Sequence, residues 1–372
     1  MTRIKKVAII AGQLVVGGAE RQLYIWLSHL DRELFQPIVI TLHPGHNDYW
    51  EKPIEELEIP LYKIPSRKNK LCRLIDIAKI LNVYRPHLIH AWHLFASPYA
   101  GLLAKPLGAK SLGSLRGSFR GFYKNPLSGL LTLSLVNAIL VNSYAASDKL
   151  RRIKFRNTQK VYTVQNAVEE NPLNRNFHSE DLNKFKDIKR DITWILSVGR
   201  LDPKKRFDLL LRIIALLKKE SNDFHFVLMG DGQERLNLEK LALDLNITDC
   251  VTFAGEVPDA ISWMGAFDIF CFTSLDEGLP NVVMEAAVAG IPIVSWRVAF
   301  MEELLKAGEE AYLVETNDFL GFKNALIELM HSPSLRTQIG HAAQHHVLEE
   351  FSIDRFVERM TTVYQELLSR SK

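Results

Sequence analysis

Short apolar runs alternate with amphipathic stretches along almost the whole chain. VAIIAG at 7–12, PIVITL at 37–42, HLIHAW at 87–92, SLGSLRG at 111–117, AILVNS at 138–143 and KVYTVQNAV at 160–168 are short runs rich in apolar residues. Strands buried on both faces of a parallel sheet have this pattern, whereas half-exposed strands alternate apolar with polar. Between the runs, 20–30 and 71–83 carry apolar residues at helical spacing. The stretch 171–191 is polar and aperiodic, which predicts a linker. A second alternation follows, with strands WILSVG at 194–199, HFVLMG at 225–230, VTFAG at 251–255, DIFCFT at 268–273, PIVSW at 292–296 and AYLVE at 311–315. The predicted class is therefore α/β, with two doubly wound parallel-sheet domains at 1–172 and 191–352 joined by a linker at 173–190.

Length and composition agree with two cores, since 372 residues are present and 47% are hydrophobic. The opening MTRIKKVAIIAG has too short an apolar run for a secretory signal and reads as a first strand. The stretch 127–141 falls short of the ~20 apolar residues a spanning helix needs, so no transmembrane segment is expected. Cys72, Cys250 and Cys271 are odd in number and lack metal-ligand spacing. They fit buried thiols in a reducing, cytoplasmic compartment.

Charge divides the chain unevenly. Residues 1–190 carry 29 Lys+Arg against 15 Asp+Glu, a net +14, and residues 191–372 carry 17 against 28, a net −11. No acidic residue occurs between Asp76 and Asp148, while Arg85, Lys105, Lys110, Arg116, Arg120 and Lys124 do, with Phe119, Phe122 and Tyr123 among the last of them. Two readings stand side by side: a solvated basic face, or attraction to an anionic membrane surface or a phosphorylated acceptor. No recognition motif accompanies the charge, so nucleic acid is not an expected partner.

The chemistry concentrates at predicted strand ends. In EGLPNVVMEAAVAG, Glu277 and Glu285 straddle a loop that enters a helix. Pro280 suits the first helical position, and Asn281 and Glu285 then share a face. Such an entrance presents N–H groups to an anion, and the carboxylates can accept hydrogen bonds from hydroxyls. A capped surface helix is the alternative. Gly17 and Gly18 follow the first strand and allow close approach of a phosphate or sugar. They do not complete a dinucleotide fingerprint, so NAD is not expected. Arg200 and Lys205 follow another strand and suit a phosphate or another anion. His90, His93 and Arg116 sit at the ends of two further strands, where ligands are met; a structural role is the alternative for each. No D-x-D pair or His/Cys cluster occurs, so no metal cofactor is expected.

These elements together resemble the retaining family 4 glycosyltransferases of the GT-B fold. The resemblance rests on E-x(7)-E from Glu277 to Glu285, GGAER at 17–21, SVGRLDPKKRFDLL at 197–210, MGDG at 229–232 and VTFAGEV at 251–257. Their order and spacing match the family from about residue 7 to about residue 350. The resemblance implies two Rossmann-like domains facing across a cleft, acceptor on the first and donor on the second, with a last helix within 353–372 packing back on the first. It assigns Glu285 to the ribose of a nucleotide sugar and Glu277 to the donor sugar's hydroxyls. Gly278, Leu279, Pro280 and Asn281 lie where the family's loop touches sugar and phosphate, and Glu256 and Val257 where the nucleobase rests. Arg200 and Lys205 would neutralise the leaving diphosphate, and Gly17 and Gly18 adjoin it. His93 stands near a family histidine that meets donor sugar and acceptor and is the catalytic candidate there, although Trp92 occupies the more usual place; His90 and Arg116 would lie on the acceptor side. The family usually has glycine after the lysine, where this chain has Arg206. The implied activity is sugar transfer with retention to a saccharide or lipid-linked acceptor, in cell-surface saccharide or glycolipid synthesis, by an enzyme in the cytoplasm or peripheral on the inner face of the membrane. A nucleotide-sugar 2-epimerase and a non-catalytic sugar-nucleotide or lipid-head-group binder are the alternatives.

Overall fold

Val7, Ile9 and Ala11 point to one side of the first strand and Ala8 and Ile10 to the other, and all five are fully buried. A run of successive apolar residues thus becomes the middle of a helix-covered sheet. The computed structural model describes residues 4–45, 48–65, 69–117, 129, 134–152, 160–170, 192–257 and 260–369. The chain divides into two compact units, Met1–Ala167 with Ile353–Lys372, and Val168–Ser352. The expected linker at 173–190 and the aromatic residues at 119, 122 and 123 lie outside the described residues.

The first unit holds β1 (Lys5–Ala11), β2 (Phe35–Thr41), β3 (Leu61–Lys63), β4 (Leu88–Ala91), β5 (Lys110–Leu115), β6 (Ala138–Val141) and β7 (Lys160–Thr163). They form one parallel sheet in the order β3-β2-β1-β4-β5-β6-β7. On one face lie the helices Gly18–His29 and Ile353–Ser369, sharing a core with Val7, Ile9 and Leu88. On the other face Ile77 and Leu81 of the helix Lys70–Tyr84, and Ala96, Tyr99 and Ala100 around the start of Ser97–Ala104, cover Ala8 and Ile10.

The helix Ile353–Ser369 reaches this unit from the far end of the sequence. Its buried residues, Phe356, Met360, Val363, Tyr364 and Leu367, recur at helical spacing and form one stripe. Trp26 receives the stripe edge-on, 6.3 Å from the Phe356 ring and 5.2 Å from Tyr364, and its Nε1 donates to Tyr364 Oη at 3.2 Å. Each such buried apolar side chain is worth about 1.5–3 kcal/mol. Truncating Tyr364 would also leave a buried indole N–H without its partner.

The second unit holds β8 (Thr193–Val198), β9 (Phe224–Met229), β10 (Val251–Gly255), β11 (Ile269–Phe272), β12 (Ile293–Trp296) and β13 (Tyr312–Val314). All pair in parallel, in the order β10-β9-β8-β11-β12-β13. Ile195 and Leu196 illustrate the two-sided burial, Ile195 packing with the helix Phe207–Lys218 and Leu196 with the helix Asn281–Val288.

In both sheets the strand order reverses once near the middle, between β1 and β4 and between β8 and β11. At such a reversal neighbouring connections diverge at the carboxyl ends of the strands, which is where open α/β sheets hold their ligands. Among the described residues no helix is long and apolar enough to cross a membrane.

Candidate active site

In the second unit the reversal falls where Arg200, Lys205 and Glu277 were expected to act. After β8 the chain passes through Gly199 into a short 3-10 turn, Pro203–Lys205. Asp202 caps that turn by accepting from the Lys204 N–H at 3.2 Å. After β11, Thr273 Oγ1 donates to the Lys205 carbonyl at 3.0 Å, and Ser274 Oγ lies 3.2 Å from the Lys204 carbonyl. The strand end and the turn are thus tied through backbone carbonyls, which fixes where the Lys205 side chain begins. Lys205 Nζ then meets Glu277 Oε1 at 2.8 Å, with only 15% and 13% of the two side chains exposed. Ser274 Oγ also lies 2.9 Å from the same carboxylate oxygen. A charge-assisted pair this sheltered from water is a built feature and not a surface contact.

Glycines set the neighbouring loops. A Cβ on Gly230 would stand 2.0 Å from the Gly199 carbonyl oxygen, and one on Gly232 2.5 Å from that of Leu201. Their absence lets the loops after β8 and β9 run side by side, with Gly199 donating to Met229 and Leu201 donating to Asp231, both at 2.9 Å. The MGDG motif therefore serves backbone contact between the loops that frame the site. Arg206, in the position where the resembling family usually has glycine, adopts φ 55° and ψ 38°. That left-handed conformation costs a residue with a Cβ about 1–2 kcal/mol. Here Arg206 also forms a two-pronged pair with Asp208 at 2.9 and 3.0 Å.

Two expectations need correction in this unit. Arg200 does not share the sheltered contact between Lys205 and Glu277. Its side chain is 74% exposed and its Nε pairs with Asp202 at 3.2 Å, a partner two residues along that spacing alone did not reveal. Pro280 does not open the helix; it is the residue before it, with φ −78° and ψ 108°, and the helix starts at Asn281. Proline disfavours continuation of the helix on its N-terminal side but leaves Asn281 and Glu285 on one face, both half-buried. Gly278, Leu279 and Pro280 are buried in the loop between Glu277 and this helix. Glu256 is exposed just beyond β10, and Val257 packs against the core.

In the first unit the reversal between β1 and β4 gathers His93, Glu20 and the glycine loop. The Gly12 N–H donates to His93 Nδ1 at 3.1 Å, so Nε2 carries the proton and donates to Glu20 Oε1 at 3.1 Å. Glu20 lies in the first turn of the helix Gly18–His29, and a Cβ on Gly17 would meet its Oε2 at 2.3 Å. Gly17 thus leaves room for the Glu20 carboxylate to fold back beside it. Glu20 was not singled out from the sequence, although it lies inside the quoted GGAER; an acidic residue in the first turn of a helix is too common to signal a site. Trp92 Nε1 donates to the Ala19 carbonyl at 2.7 Å, seating the strand end against the same helix.

His90 was expected on the acceptor side and is corrected to the core. It is fully buried, with Nδ1 2.8 Å from Tyr364 Oη and Nε2 2.7 Å from Ser114 Oγ. Burial, helped by the charge of Arg116, holds its pKa well below the usual histidine value. Arg116, one residue beyond β5, stacks its guanidinium 3.8 Å over the Trp92 ring. Burial lowers its pKa to about 9, opposed in part by Tyr364. Among the described residues no group of three or more His, Cys, Asp or Glu is arranged to hold a metal ion.

Comparison with known proteins agrees with both halves of this description. Residues 16–172 match the family model "Glycosyltransferase Family 4", and residues 179–346 match "Glycosyl transferases group 1". The lipopolysaccharide core biosynthesis glycosyltransferase LpsE of Rhizobium meliloti is 33% identical over 183 residues, which is 49% of this chain and 52% of that protein. The chain spans about half the length of the first curated relatives it matches. A second R. meliloti glycosyltransferase of lipopolysaccharide core biosynthesis, LpsD, is 26% identical over 95% of each chain. Among solved structures, Anabaena HepE in complex with UDP and glucose superposes with a TM-score of 0.83 at 18% identity, covering 97% of this chain and 100% of that one.

Proposed function

The chain belongs to the glycosyl transferases group 1 family, with a family 4 N-terminal half and the GT-B fold, and on that premise we propose that it transfers a sugar from a nucleotide-sugar donor to an acceptor hydroxyl with retention at the anomeric carbon. The observation that carries this reading is the Lys205–Glu277 pair at the strand reversal of the second unit. The pair places a cation beside a carboxylate at the entrance of the helix Asn281–Val288. A diphosphate needs the first, and sugar hydroxyls need the second. Oε1 of Glu277 already faces Lys205 and Ser274, which leaves Oε2 to accept from the donor sugar. Glu285, one turn into the helix, suits a ribose diol.

Departure of the nucleoside diphosphate develops negative charge, and fixed positive charge stabilises a transition state most where that charge grows. Lys205 is held for this by Thr273 and Ser274. Arg200 joins it by exchanging Asp202 for the phosphates. Attack of the acceptor hydroxyl on the face the diphosphate leaves, with a donor phosphate oxygen taking the proton, requires positioning and cations more than a protein nucleophile. The absence of any D-x-D pair in the sequence supports a reaction without a resident metal. Relatives named for lipopolysaccharide core and capsular polysaccharide biosynthesis support a cell-surface saccharide or glycolipid as product. The net +14 of residues 1–190 supports reversible docking on an anionic membrane from the cytoplasmic side.

A panel of nucleotide sugars tests the reading. At least one should raise the melting temperature and be hydrolysed slowly to sugar and nucleoside diphosphate when no acceptor is present. Release of an epimerised sugar nucleotide instead would favour the epimerase alternative, and binding without any turnover would favour a binding protein. For the membrane, sedimentation with vesicles containing phosphatidylserine should exceed that with neutral vesicles at low salt and weaken at high salt. Equal sedimentation would remove the membrane from the account.

A further inference from the structure

Arg116 carries a charge whose obvious partner is missing. Arg116 is half-buried as a whole, but its Nε and Nη1 are shut off from solvent and make no hydrogen bond among the described residues, where Nη2 reaches only the thioether of Met360 at 3.9 Å. No carboxylate among the described residues pairs with it; its surroundings are the Trp92 ring, Tyr364, His90 and Met360. Stacking on Trp92 occupies the face of the guanidinium and leaves its edge, where the N–H donors lie. A buried donor left unmade is costly, and a buried charge without a counter-ion more so. Among the described residues no anionic partner in this unit calls for a cation there.

The neighbouring strand repeats the omission with opposite polarity. Leu115 of β5 pairs with Val141 of β6, so Arg116 and Asn142 are the next residues beyond the pair on adjacent strands. Asn142 is buried, its Nδ2 points to Asn166 Oδ1 at 3.5 Å, and its Oδ1 has no partner. Two unspent donors and one unspent acceptor therefore stand at adjoining strand ends, on the carboxyl edge of the sheet where its ligands are expected.

We infer that Arg116 and Asn142 form an acceptor subsite for a hydroxylated oxyanion, Arg116 taking the phosphate or carboxylate and Asn142 Oδ1 accepting from a neighbouring hydroxyl. This names the acceptor class for the transfer reaction and rests on that reading for its catalytic meaning, but binding of the anion does not depend on it. The depressed basicity of Arg116 accords with a group buried without its counter-ion. Phosphorylated sugars and uronic acids both carry this chemistry.

Calorimetry on the full chain, with UDP held at saturation to occupy the second unit, tests the inference with glucose 6-phosphate, glucuronate and glucose at equal ionic strength. One or both anions should bind, and glucose should not. The anion that binds separates a phosphate site from a carboxylate site. Arg116→Met keeps the stacking and removes the donors, so it should weaken the anion by at least ~10-fold, the usual scale for a lost charge-assisted hydrogen bond. Arg116→Lys, which keeps the charge without the fork, should fall between them, and Asn142→Asp should weaken both anions. UDP affinity should be unchanged in all three variants, which also reports that they are folded. Equal binding of glucose and the anions, or undiminished anion binding by Arg116→Met, would overturn the inference. If UDP itself fails to bind, the failure lies with the transfer reading, and the anion titration without UDP still decides the subsite.

Discussion

Replacing Glu277 by glutamine separates the two duties assigned to the Lys205–Glu277 pair. Glutamine keeps the shape of the side chain and an oxygen within reach of Lys205 and Ser274, but removes the negative charge. The bond lost is a charge-assisted one at 2.8 Å between side chains only 15% and 13% exposed. Such bonds contribute about 1.5–3 kcal/mol net, and a neutral amide oxygen recovers part of it, leaving a change of about 1–2 kcal/mol at Lys205. In the free protein Glu277 competes with a diphosphate for the ammonium. Removing the competitor should leave nucleoside diphosphate binding unchanged or strengthen it by up to ~10-fold. The donor responds differently, because its sugar loses a carboxylate acceptor. The ratio of donor to nucleoside diphosphate dissociation constants should therefore rise by ~10-fold or more in Glu277→Gln, as measured by calorimetry with the donor identified by the panel and its diphosphate product. A parallel loss for both ligands would show that the carboxylate only organises the loop, and the division of labour would be abandoned.

Two further outcomes concern the scaffold. His90 has a folded pKa well below the unfolded value of about 6.5, so the unfolded state takes up a proton that the folded state refuses. Its contribution is intact above that unfolded value and is lost as pH falls below it; the slope of unfolding free energy against pH between 5 and 6.5 should be shallower in His90→Gln by up to about 1.4 kcal/mol per unit, and an unchanged slope would contradict this. Arg206→Gly relieves a left-handed residue at the expense of the exposed pair with Asp208, so the urea midpoint should correspond to a gain of about 0.5–1 kcal/mol. A loss of stability would mean that the Asp208 pair outweighs the backbone cost.

What the sequence disclosed follows the range of the forces involved. Two-sided burial is written locally, so VAIIAG and WILSVG identified central parallel strands without help from their partners. Leu61–Lys63 carried no such signal, being three residues at a sheet edge with Tyr62 and Lys63 exposed. The helix entrance at Asn281 was legible within one residue, because proline constrains its neighbours in the chain. His90 and His93 were indistinguishable for the opposite reason. The Tyr364 hydroxyl that claims His90 lies 274 residues away, and the Glu20 carboxylate that claims His93 lies 73 residues away. Arg200 was found by its position after a strand, but direction is not encoded in position, and Asp202 turned it outward. The unpartnered nitrogens of Arg116 were invisible in sequence, since a missing partner is a property of the packed sheet.

Turnover by Lys205→Ala, measured beside the unaltered chain with the donor identified by the panel, tests the central claim most directly. Both proteins are assayed for nucleoside diphosphate release under saturating donor, with and without a chelator. The account predicts a kcat at least ~10²-fold lower in Lys205→Ala, as is usual for loss of one oriented charge contact, and no effect of the chelator on the unaltered chain. Undiminished turnover by Lys205→Ala, or activity of the unaltered chain that vanishes with the chelator, would contradict it.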